Sequence, residues 1–462
     1  MMQRQTRVLV IGLDCAPPKL VFDQWVDDLP NLKRLMQEGI CGELKSSDPP
    51  ITVPAWMSMM TSKDPGELGI YGFRNRANYT YDGLALANSM TIHEDTVWDI
   101  LGRLGKQSVL IGVPPSYPPK PILGNMVSCF LTPSTNGQYT YPAELKHDVE
   151  RLVGRYLVDV ENFRSEEKDG ILSQIYEMTR KRFILARDFI VNKPWEFFMM
   201  VEMGTDRIHH GFWKHHDPSH PKYQPGSKYE KAIYGYYRYL DGEIGEILSL
   251  IDDRTVVLVV SDHGAKKMDG GICINEWLIR EGYLTLQETP KEVMPFSKAK
   301  INWTKTKAWG EGGYYGRLFL NVRGREPQGV INPQDYEQVR DELCAKLKAI
   351  TDEQGRPLDT KVLKPQEIYR TCRMIAPDLI IYFGDLLWRS VGSIGFHSIY
   401  TYENDTGPDD ANHDYNGIFI MYDPQSPSGG RRDGLQLMDV APTVLEKLGV
   451  EAPADMQGKI IE

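Results

Sequence analysis

Carboxylate and imidazole side chains follow three short apolar runs of the sequence, where buried strands would end. Asp14, Asp206 and Asp262 each stand just beyond such a run, and His210 and His263 lie close to two of them. In parallel sheets, functional side chains collect at the carboxyl ends of the strands. A mixture of carboxylates and neutral imidazoles suits Zn²⁺ or Mn²⁺, whereas Ca²⁺ and Mg²⁺ prefer oxygen ligands alone.

Each of these pairs also has a purely structural interpretation. Asp206 and His210 have i,i+4 spacing, which places them on one helix face, but an aspartate at a helix start also favours the helix dipole. The segment from Asp262 to Gly264 could instead be a turn that ends its strand. Four further histidines crowd the region of His210, and we expect most of them at the surface or behind the site: His209, His215, His216 and His220.

Thr52 is the candidate nucleophile. It stands two residues before Pro54, which suits the first turn of a helix. Thr52 then lies at or just before the helix cap, near free backbone N–H groups that attract phosphate and stabilise an alkoxide. The alternative is a threonine that only caps the helix.

The elements that must position these residues are apolar runs bounded by Gly, Pro or Asp, with amphipathic stretches between them. Continuous apolar runs are typical of strands that are buried on both faces. Strands alternating with helices predict an α/β fold with a mostly parallel central sheet flanked by helices. The predicted strands are residues 8–13, 108–113, 197–201, 256–260, 379–383 and 418–422.

Two segments fit this sheet poorly. Residues 133–172 are polar and charged, and we interpret them as a helical excursion over the core. Residues 303–369 contain a hairpin strand, an amphipathic helix and a Gly/Pro/Asp-rich turn, which predict a small inserted α+β subdomain. Residues 1–302 and 370–462 would then form the core. The alternative organisation is two consecutive domains that part near residue 295.

Composition and charge argue against a nucleic-acid-binding protein and against a membrane protein. The chain has 462 residues and a formal charge of -10, and it shows no basic run of the kind that binds nucleic acid. Its six cysteines form no CxxC pair, and no stretch reaches the roughly 18 apolar residues of a membrane span. The N-terminus lacks the apolar region of a secretory signal. We therefore expect a cytoplasmic protein with no membrane span.

Taken in order, these motifs resemble the alkaline phosphatase superfamily, and most closely its type I phosphodiesterase/nucleotide pyrophosphatase branch. The resemblance extends through residues 65–73, after the nucleophile, and through the closing segments 438–450 and 455–458. The motifs that carry it are Asp14, Thr52-Val53-Pro54, Asp206-x-x-x-His210, Asp262-His263-Gly264 and a late His413 in a polar loop.

The resemblance implies a metal-dependent hydrolase of phosphodiester or pyrophosphate bonds that uses two divalent ions, Zn²⁺ or Mn²⁺. Thr52 would attack the substrate and form a phosphothreonine intermediate. The expected substrate is a small phosphorylated molecule such as a nucleotide. One ion would be surrounded by Asp14, Thr52, Asp262 and His263, and the other by Asp206, His210 and His413.

One departure from the family pattern concerns the substrate. The phosphodiesterase branch has an Asn shortly after the Thr-x-Pro turn, where this chain has Ala55. Arg74, Arg76 or Arg207 could replace its contact with a phosphate oxygen, and Trp56 could line the leaving-group pocket. The alternatives are a phosphomonoesterase or phosphate-transferring mutase of the same superfamily, or a non-catalytic metal or nucleotide sensor.

Overall fold

The computed structural model describes residues 6–462. No helix in this range is both long and apolar enough to cross a membrane. The helices of residues 6–462 are α1 (Pro30–Glu38), α2 (Thr52–Thr61), α3 (Pro65–Leu68), α4 (Val97–Arg103), α5 (Leu145–Val153), α6 (Lys168–Asn192), α7 (Gly204–His216), α8 (Ala232–Leu248), α9 (Ile274–Arg280), α10 (Tyr336–Lys348), α11 (Pro365–Ile368) and α12 (Val440–Lys447).

The strands belong to one large sheet and several smaller ones. In the described residues they are β1 (Arg7–Leu13), β2 (Ile40–Lys45), β3 (Arg74–Arg76), β4 (Leu84–Leu86), β5 (Ser108–Ile111), β6 (Gly124–Val127), β7 (Thr140–Tyr141), β8 (Phe197–Glu202), β9 (Thr255–Val260), β10 (Gly264–Lys267), β11 (Gly270–Cys273), β12 (Ala308–Glu311), β13 (Gly316–Leu320), β14 (Lys361–Leu363), β15 (Leu379–Tyr382), β16 (Trp388–Val391), β17 (Tyr400–Thr401), β18 (Ala411–Asp414), β19 (Asn416–Tyr422), β20 (Gly430–Arg431) and β21 (Leu435–Gln436).

The central sheet has the order β20-β2-β19-β9-β1-β8-β5-β6-β7, with β21 also paired to β2. Its middle strands β9, β1, β8, β5 and β6 are parallel, whereas β19 runs antiparallel to β9. Helices α7 and α12 both contact β1, and the apolar residues of β1, β8 and β9 are fully or almost fully buried. Because these middle strands are covered by helices, their sequences are continuously apolar. The predicted α/β class with a mostly parallel sheet is confirmed.

A buried carboxylate joins two helices that lie far apart in the sequence. Helix α1 has no side-chain cap of its own, and its N-terminal N–H groups are satisfied by Asp241 of α8. The Asp241 carboxylate accepts hydrogen bonds from the backbone N–H of Asn31 at 3.1 Å and of Leu32 at 2.8 Å. An acceptor at this position also carries the charge that the helix dipole favours.

A second apolar cluster lies beside the central core and extends along the chain from Ile272 to Ile399. It includes an antiparallel sheet with the order β12-β13-β15-β14 and the buried face of α10. The predicted insertion, residues 303–369, supplies much of this cluster, but strands and helices on either side also contribute. The division of the chain at these residues stays a prediction.

One strand assignment was wrong. Residues 379–383 were expected in the main sheet, but β15 lies in the antiparallel sheet of the second cluster. Leu379 and Ile381 pack into the second cluster, whereas Ile380 and Tyr382 pack into a third, smaller one. Because both faces of β15 are buried, its sequence has the same apolar pattern as a strand of the parallel sheet.

The segment 133–172 is less helical than expected. It contains α5 and the first turn of α6, together with the short edge strand β7 and irregular chain. Strand β7 pairs with β6 at the edge of the central sheet. The irregular part places Arg164 near Asp409, which connects this segment to the candidate site.

Candidate active site

Two neighbouring parallel strands deliver the first group of side chains. Asp14 directly follows β1, and Asp262 and His263 follow β9 after one serine. All three are fully buried, and ligand atoms of the three lie within 4.8 Å of one another. The Nε2 atom of His263 is 3.2 Å from Asp262 Oδ2 and 3.7 Å from Asp14 Oδ1.

The second group begins on α7, directly after β8. Asp206 and His210 lie on one face of this helix, and His210 Nε2 is 3.0 Å from Asp206 Oδ2. Both side chains are buried. The i,i+4 spacing therefore produces the predicted juxtaposition, because the helix starts just before Asp206.

His413 completes the second group from a strand. The sequence suggested a polar loop here, but His413 lies in β18, which pairs antiparallel with β10 and sets His413 opposite Ala265. Its ring stacks on that of His263 at a centroid distance of 3.7 Å, and its Nε2 is 3.9 Å from Asp206 Oδ2. The hydrogen bonds between β18 and β10 join backbone groups and require no apolar side chains. A segment with a polar sequence can therefore form this strand.

Thr52 is the first residue of α2, and the residue at the cap position is Ile51. The helix has no side-chain cap hydrogen bond, so the structure gives Thr52 no capping role. Its hydroxyl Oγ1 lies instead 3.4 Å from His263 Nε2. The helix N-terminus adds backbone N–H groups and a partial positive charge on the side of the hydroxyl.

The three candidate ligand histidines share one orientation. Each has its Nδ1 beside a backbone carbonyl or a carboxylate, at 3.1 Å for His263 with Gly264, 2.8 Å for His413 with Pro50, and 2.7 Å for His210 with Asp409. An acceptor at Nδ1 holds the ring proton there and leaves the Nε2 lone pair free for a metal.

The donor set fits a metal because its buried atoms otherwise lack partners. Asp14 Oδ1 and His413 Nε2 are buried and make no hydrogen bond among the described residues. The close neighbours of Asp262 Oδ2 and His210 Nε2 are other candidate ligand atoms, His263 Nε2 at 3.2 Å and Asp206 Oδ2 at 3.0 Å. Buried polar atoms without partners are rare and costly in folded proteins. Divalent cations between the two groups would supply the missing interactions.

The pKa values reflect the same concentration of charge. Burial, together with the nearby Asp206 carboxylate, raises the pKa of Asp14 well above its usual range. Burial opposes protonation of His210, but the carboxylates of Asp409 and Asp206 outweigh it and raise its pKa to about 9. Burial lowers the pKa of His263 to about 4. A cation at this position would neutralise the carboxylates that otherwise repel one another.

Two of the predicted substrate contacts lie beside the site but already have partners. Trp56 is fully buried, and its Nε1 donates a 2.7 Å hydrogen bond to Asp14 Oδ2, so it orients a candidate ligand. The Arg207 guanidinium contacts Asp206 and forms two 2.7 Å hydrogen bonds with Asp159. Neither side chain presents the free surface that a leaving-group pocket or an unpaired phosphate contact would need.

The other two predicted contacts lie in structural positions. Arg76 is buried in an ion pair with Glu326 at 3.0 Å and over the rings of Trp309 and Phe319. The side chain of Arg74 is exposed on the short strand β3. Arg76 therefore packs against the second apolar cluster, and a substrate contact by it is not supported.

Of the histidines expected at the surface or behind the site, three are buried. His209 is fully buried beside Tyr237, and His215 and His220 are only 4% and 5% exposed. His209 and His215 belong to α7, which contacts α6 and α8, whereas His220 follows the helix and lies 3.0 Å from the carbonyl of Asp410. The 3.6-residue period of the helix turns His209 away from the face that carries His210.

Three contributors to the site were missed from the sequence. Asp409 contacts His210, and its other oxygen accepts hydrogen bonds from Tyr314 at 3.0 Å and Arg164 at 3.3 Å. The Tyr314 ring, at the turn of the β12–β13 hairpin, stacks on His413 at 4.2 Å. Nothing in the local sequence distinguishes Asp409 from its acidic neighbours.

Known proteins share a family profile and a fold with this chain. A family profile described as type I phosphodiesterase / nucleotide pyrophosphatase matches residues 8–409. A search of curated proteins gave no match. Human ectonucleotide pyrophosphatase / phosphodiesterase 5 has a similar structure, with a TM-score of 0.55 and 12% identity over 97% of this chain and 96% of that chain.

An inactive murine ectonucleotide pyrophosphatase / phosphodiesterase 5 in complex with AMP is also similar. Its TM-score is 0.54, with 12% identity over 97% of this chain and 96% of that chain. At such identities the structures show a shared fold alone. Because the family profile spans most of the chain, the protein belongs to the type I phosphodiesterase/nucleotide pyrophosphatase family, whose members are phosphoric ester hydrolases.

Proposed function

We propose that this protein hydrolyses phosphodiester or pyrophosphate bonds of a small phosphorylated substrate, such as a nucleotide, through a phosphothreonine intermediate on Thr52. The observation that supports it best is the convergence of buried, unpartnered ligand atoms beside the Thr52 hydroxyl. A nucleotide is favoured because a structurally similar protein has been solved with AMP. The six cysteines are free thiols, which favours an intracellular setting.

The residues that would hold two divalent ions form the two groups described above. Asp14, Thr52, Asp262 and His263 would hold one ion, and Asp206, His210 and His413 the other. Mixed nitrogen and oxygen donors favour Zn²⁺ or Mn²⁺. Bound ions of this kind lower the pKa of a coordinated hydroxyl or water and neutralise charge on a transferring phosphoryl group.

The Thr52 hydroxyl supplies the nucleophile in the first step. Thr52 Oγ1 forms a bond to phosphorus and loses its proton to water, while the bond from phosphorus to the leaving group breaks. The leaving group departs with that electron pair and takes up a proton. Backbone N–H groups at the start of α2 would bind the phosphoryl oxygens.

A water molecule completes the reaction. Its oxygen bonds to phosphorus, the bond from phosphorus to Thr52 Oγ1 breaks, and the threonine hydroxyl regains a proton. Trp56 holds the Asp14 carboxylate through its 2.7 Å hydrogen bond, and Asp409 holds the His210 ring. Both contacts keep the reacting geometry fixed between the two steps.

The test is the substitution Thr52→Ala in metal-loaded protein, assayed with bis-p-nitrophenyl phosphate. We expect kcat to fall about 10³-fold or more, equivalent to about 4 kcal/mol of barrier, with fold and metal content nearly intact, because three other side chains would still hold the same ion. Acid-quenched wild-type protein should carry phosphate on the peptide that contains Thr52. Ser58→Ala is the control, since it removes a buried hydroxyl from the same helix.

Two results would contradict the proposal. Near-normal turnover by Thr52→Ala would indicate direct attack by water and a structural threonine. Metal-loaded wild-type protein without activity on phosphodiesters and pyrophosphates would instead favour a non-catalytic sensor.

A further inference from the structure

Cys15 is a buried thiol at the junction of the two ligand groups. It directly follows Asp14 at the end of β1, and it is fully buried. Its Sγ atom and ligand atoms of Asp206 and His210 all lie within 4.8 Å of one another. The end of one strand thus directs two successive side chains to different groups, Asp14 to the first and Cys15 to the second.

The backbone of Cys15 accounts for this divergence. Its φ is +65°, in the left-handed region that non-glycine residues rarely adopt. The backbone N–H of Cys15 donates a 3.1 Å hydrogen bond to Asp262 Oδ1, which helps to hold this conformation. The Sγ atom has one weak partner, the carbonyl of Gly264 at 3.4 Å.

Independent atoms point to a ligand between these side chains. His413 Nε2 makes no hydrogen bond among the described residues, and both His413 and His210 are only 1% exposed. Their Nδ1 atoms face acceptors, and their Nε2 atoms lie 3.9 Å and 3.0 Å from Asp206 Oδ2. The Asp206 carboxylate thus has both imidazole nitrogens beside it, and the Cys15 sulfur lies within 4.8 Å of ligand atoms of Asp206 and His210.

We propose that Cys15 is a thiolate ligand of the ion held by Asp206, His210 and His413, and that it makes this position selective for Zn²⁺ over Mn²⁺. The proposal rests on the metal site of the proposed function. Thiolate is a soft ligand that favours zinc, whereas Mn²⁺ prefers oxygen. On binding, the thiol proton passes to solvent and the contact with Gly264 is given up. Zinc can expand to five ligands, which leaves one position for the substrate.

The test uses full-length protein loaded with Co²⁺, whose spectrum reports the ligand atoms. We expect a sulfur-to-cobalt charge-transfer band in the near ultraviolet for the wild type, and its loss in Cys15→Ser. Cys129→Ser is the matched control, because Cys129 is also fully buried but contacts Ser116 away from the ligand groups. This control should keep the band.

A competition titration gives a second measurement. We expect Cys15→Ser to lower the Zn²⁺ affinity of one of the two positions about 10- to 100-fold and to change the Mn²⁺ affinity much less. Thermal melting of each variant verifies the fold, and Cys15→Ala replaces the serine variant if serine impairs folding.

The outcomes separate the two proposals. If wild-type protein binds cobalt without a sulfur band, or if Cys15→Ser keeps the band, Cys15 is not a ligand and the proposed function is unaffected. If the folded wild type binds no divalent ion, both the thiolate ligand and the metal-dependent function are overturned.

Discussion

A single hydrogen bond decides which nitrogen of each candidate histidine faces the ligand groups. For His263 and His413 the acceptor is a backbone carbonyl, whereas for His210 it is the carboxylate of Asp409. A carboxylate partner also makes the imidazole a stronger donor to a metal. Asp409 is therefore a positioning residue that acts through His210.

At the residue scale, we predict that Asp409→Asn weakens binding of one ion by about tenfold, because the amide holds the His210 ring less firmly and carries no charge. Zinc titration against a chelator measures the effect. Asp410→Asn is the control, since Asp410 carries the same side chain but lies 3.6 Å from Lys214. Equal zinc affinity in wild type and Asp409→Asn would show that Asp409 does not tune the site.

Helix α7 contains both site residues and buried residues on its other faces. Asp206 and His210 face the ligand groups, whereas His209 packs in the core with Nε2 3.3 Å from the Tyr237 hydroxyl. Burial lowers the pKa of His209 to about 3. The helix therefore carries one imidazole that stays neutral over the range in which an exposed histidine is protonated.

At the element scale, this buried ring predicts acid sensitivity of folding. Because the folded pKa lies below the unfolded value of about 6.5, the full stability is present above pH 6.5 and is lost as the pH falls toward 3. The free energy of unfolding should decrease by up to about 1.4 kcal/mol per pH unit from this residue.

Urea unfolding at pH 7 and at pH 5, with chelator present, measures this slope. His209→Gln should be less stable at pH 7 and less dependent on pH than the wild type. Identical pH dependence in the two proteins would exclude His209 as the source.

Two arginines lie beside the described site. Arg207 is paired with Asp159 and Asp206, and Arg164 contacts both Asp409 and Tyr314. Both cations are thus paired with carboxylates of the protein itself. This pairing leaves them little positive charge for a substrate with two negative charges on its phosphate.

At the scale of the whole molecule, we therefore predict a preference for phosphodiesters. The value of kcat/KM should be at least about tenfold higher for bis-p-nitrophenyl phosphate than for p-nitrophenyl phosphate, equivalent to about 1.4 kcal/mol. The ratio of the two kcat/KM values is measured with Zn²⁺ and with Mn²⁺ at several pH values, which shows whether the preference depends on the metal or the pH. A consistent preference for the monoester would indicate a phosphomonoesterase.

The sequence alone determined the features that depend on residues close to one another along the chain. Apolar runs with a carboxylate just beyond them predicted β1, β8 and β9 and the α/β class, because burial on both faces requires continuous apolar residues. The i,i+4 spacing of Asp206 and His210 predicted their shared helix face. The combined motifs identified the family, and its profile confirms that membership.

Only the tertiary structure decided the contacts between distant parts of the chain. Asp409 meets His210 across 199 positions, and Arg164 reaches Asp409 across 245. Strand β15, which pairs with β13, and strand β18, which carries His413 and pairs with β10, also depend on partners from other parts of the chain. The local sequence specifies which faces of a segment can be buried. Many segments offer similar apolar or polar surfaces, so the local sequence does not specify the partner. The packing of the whole chain selects the partner.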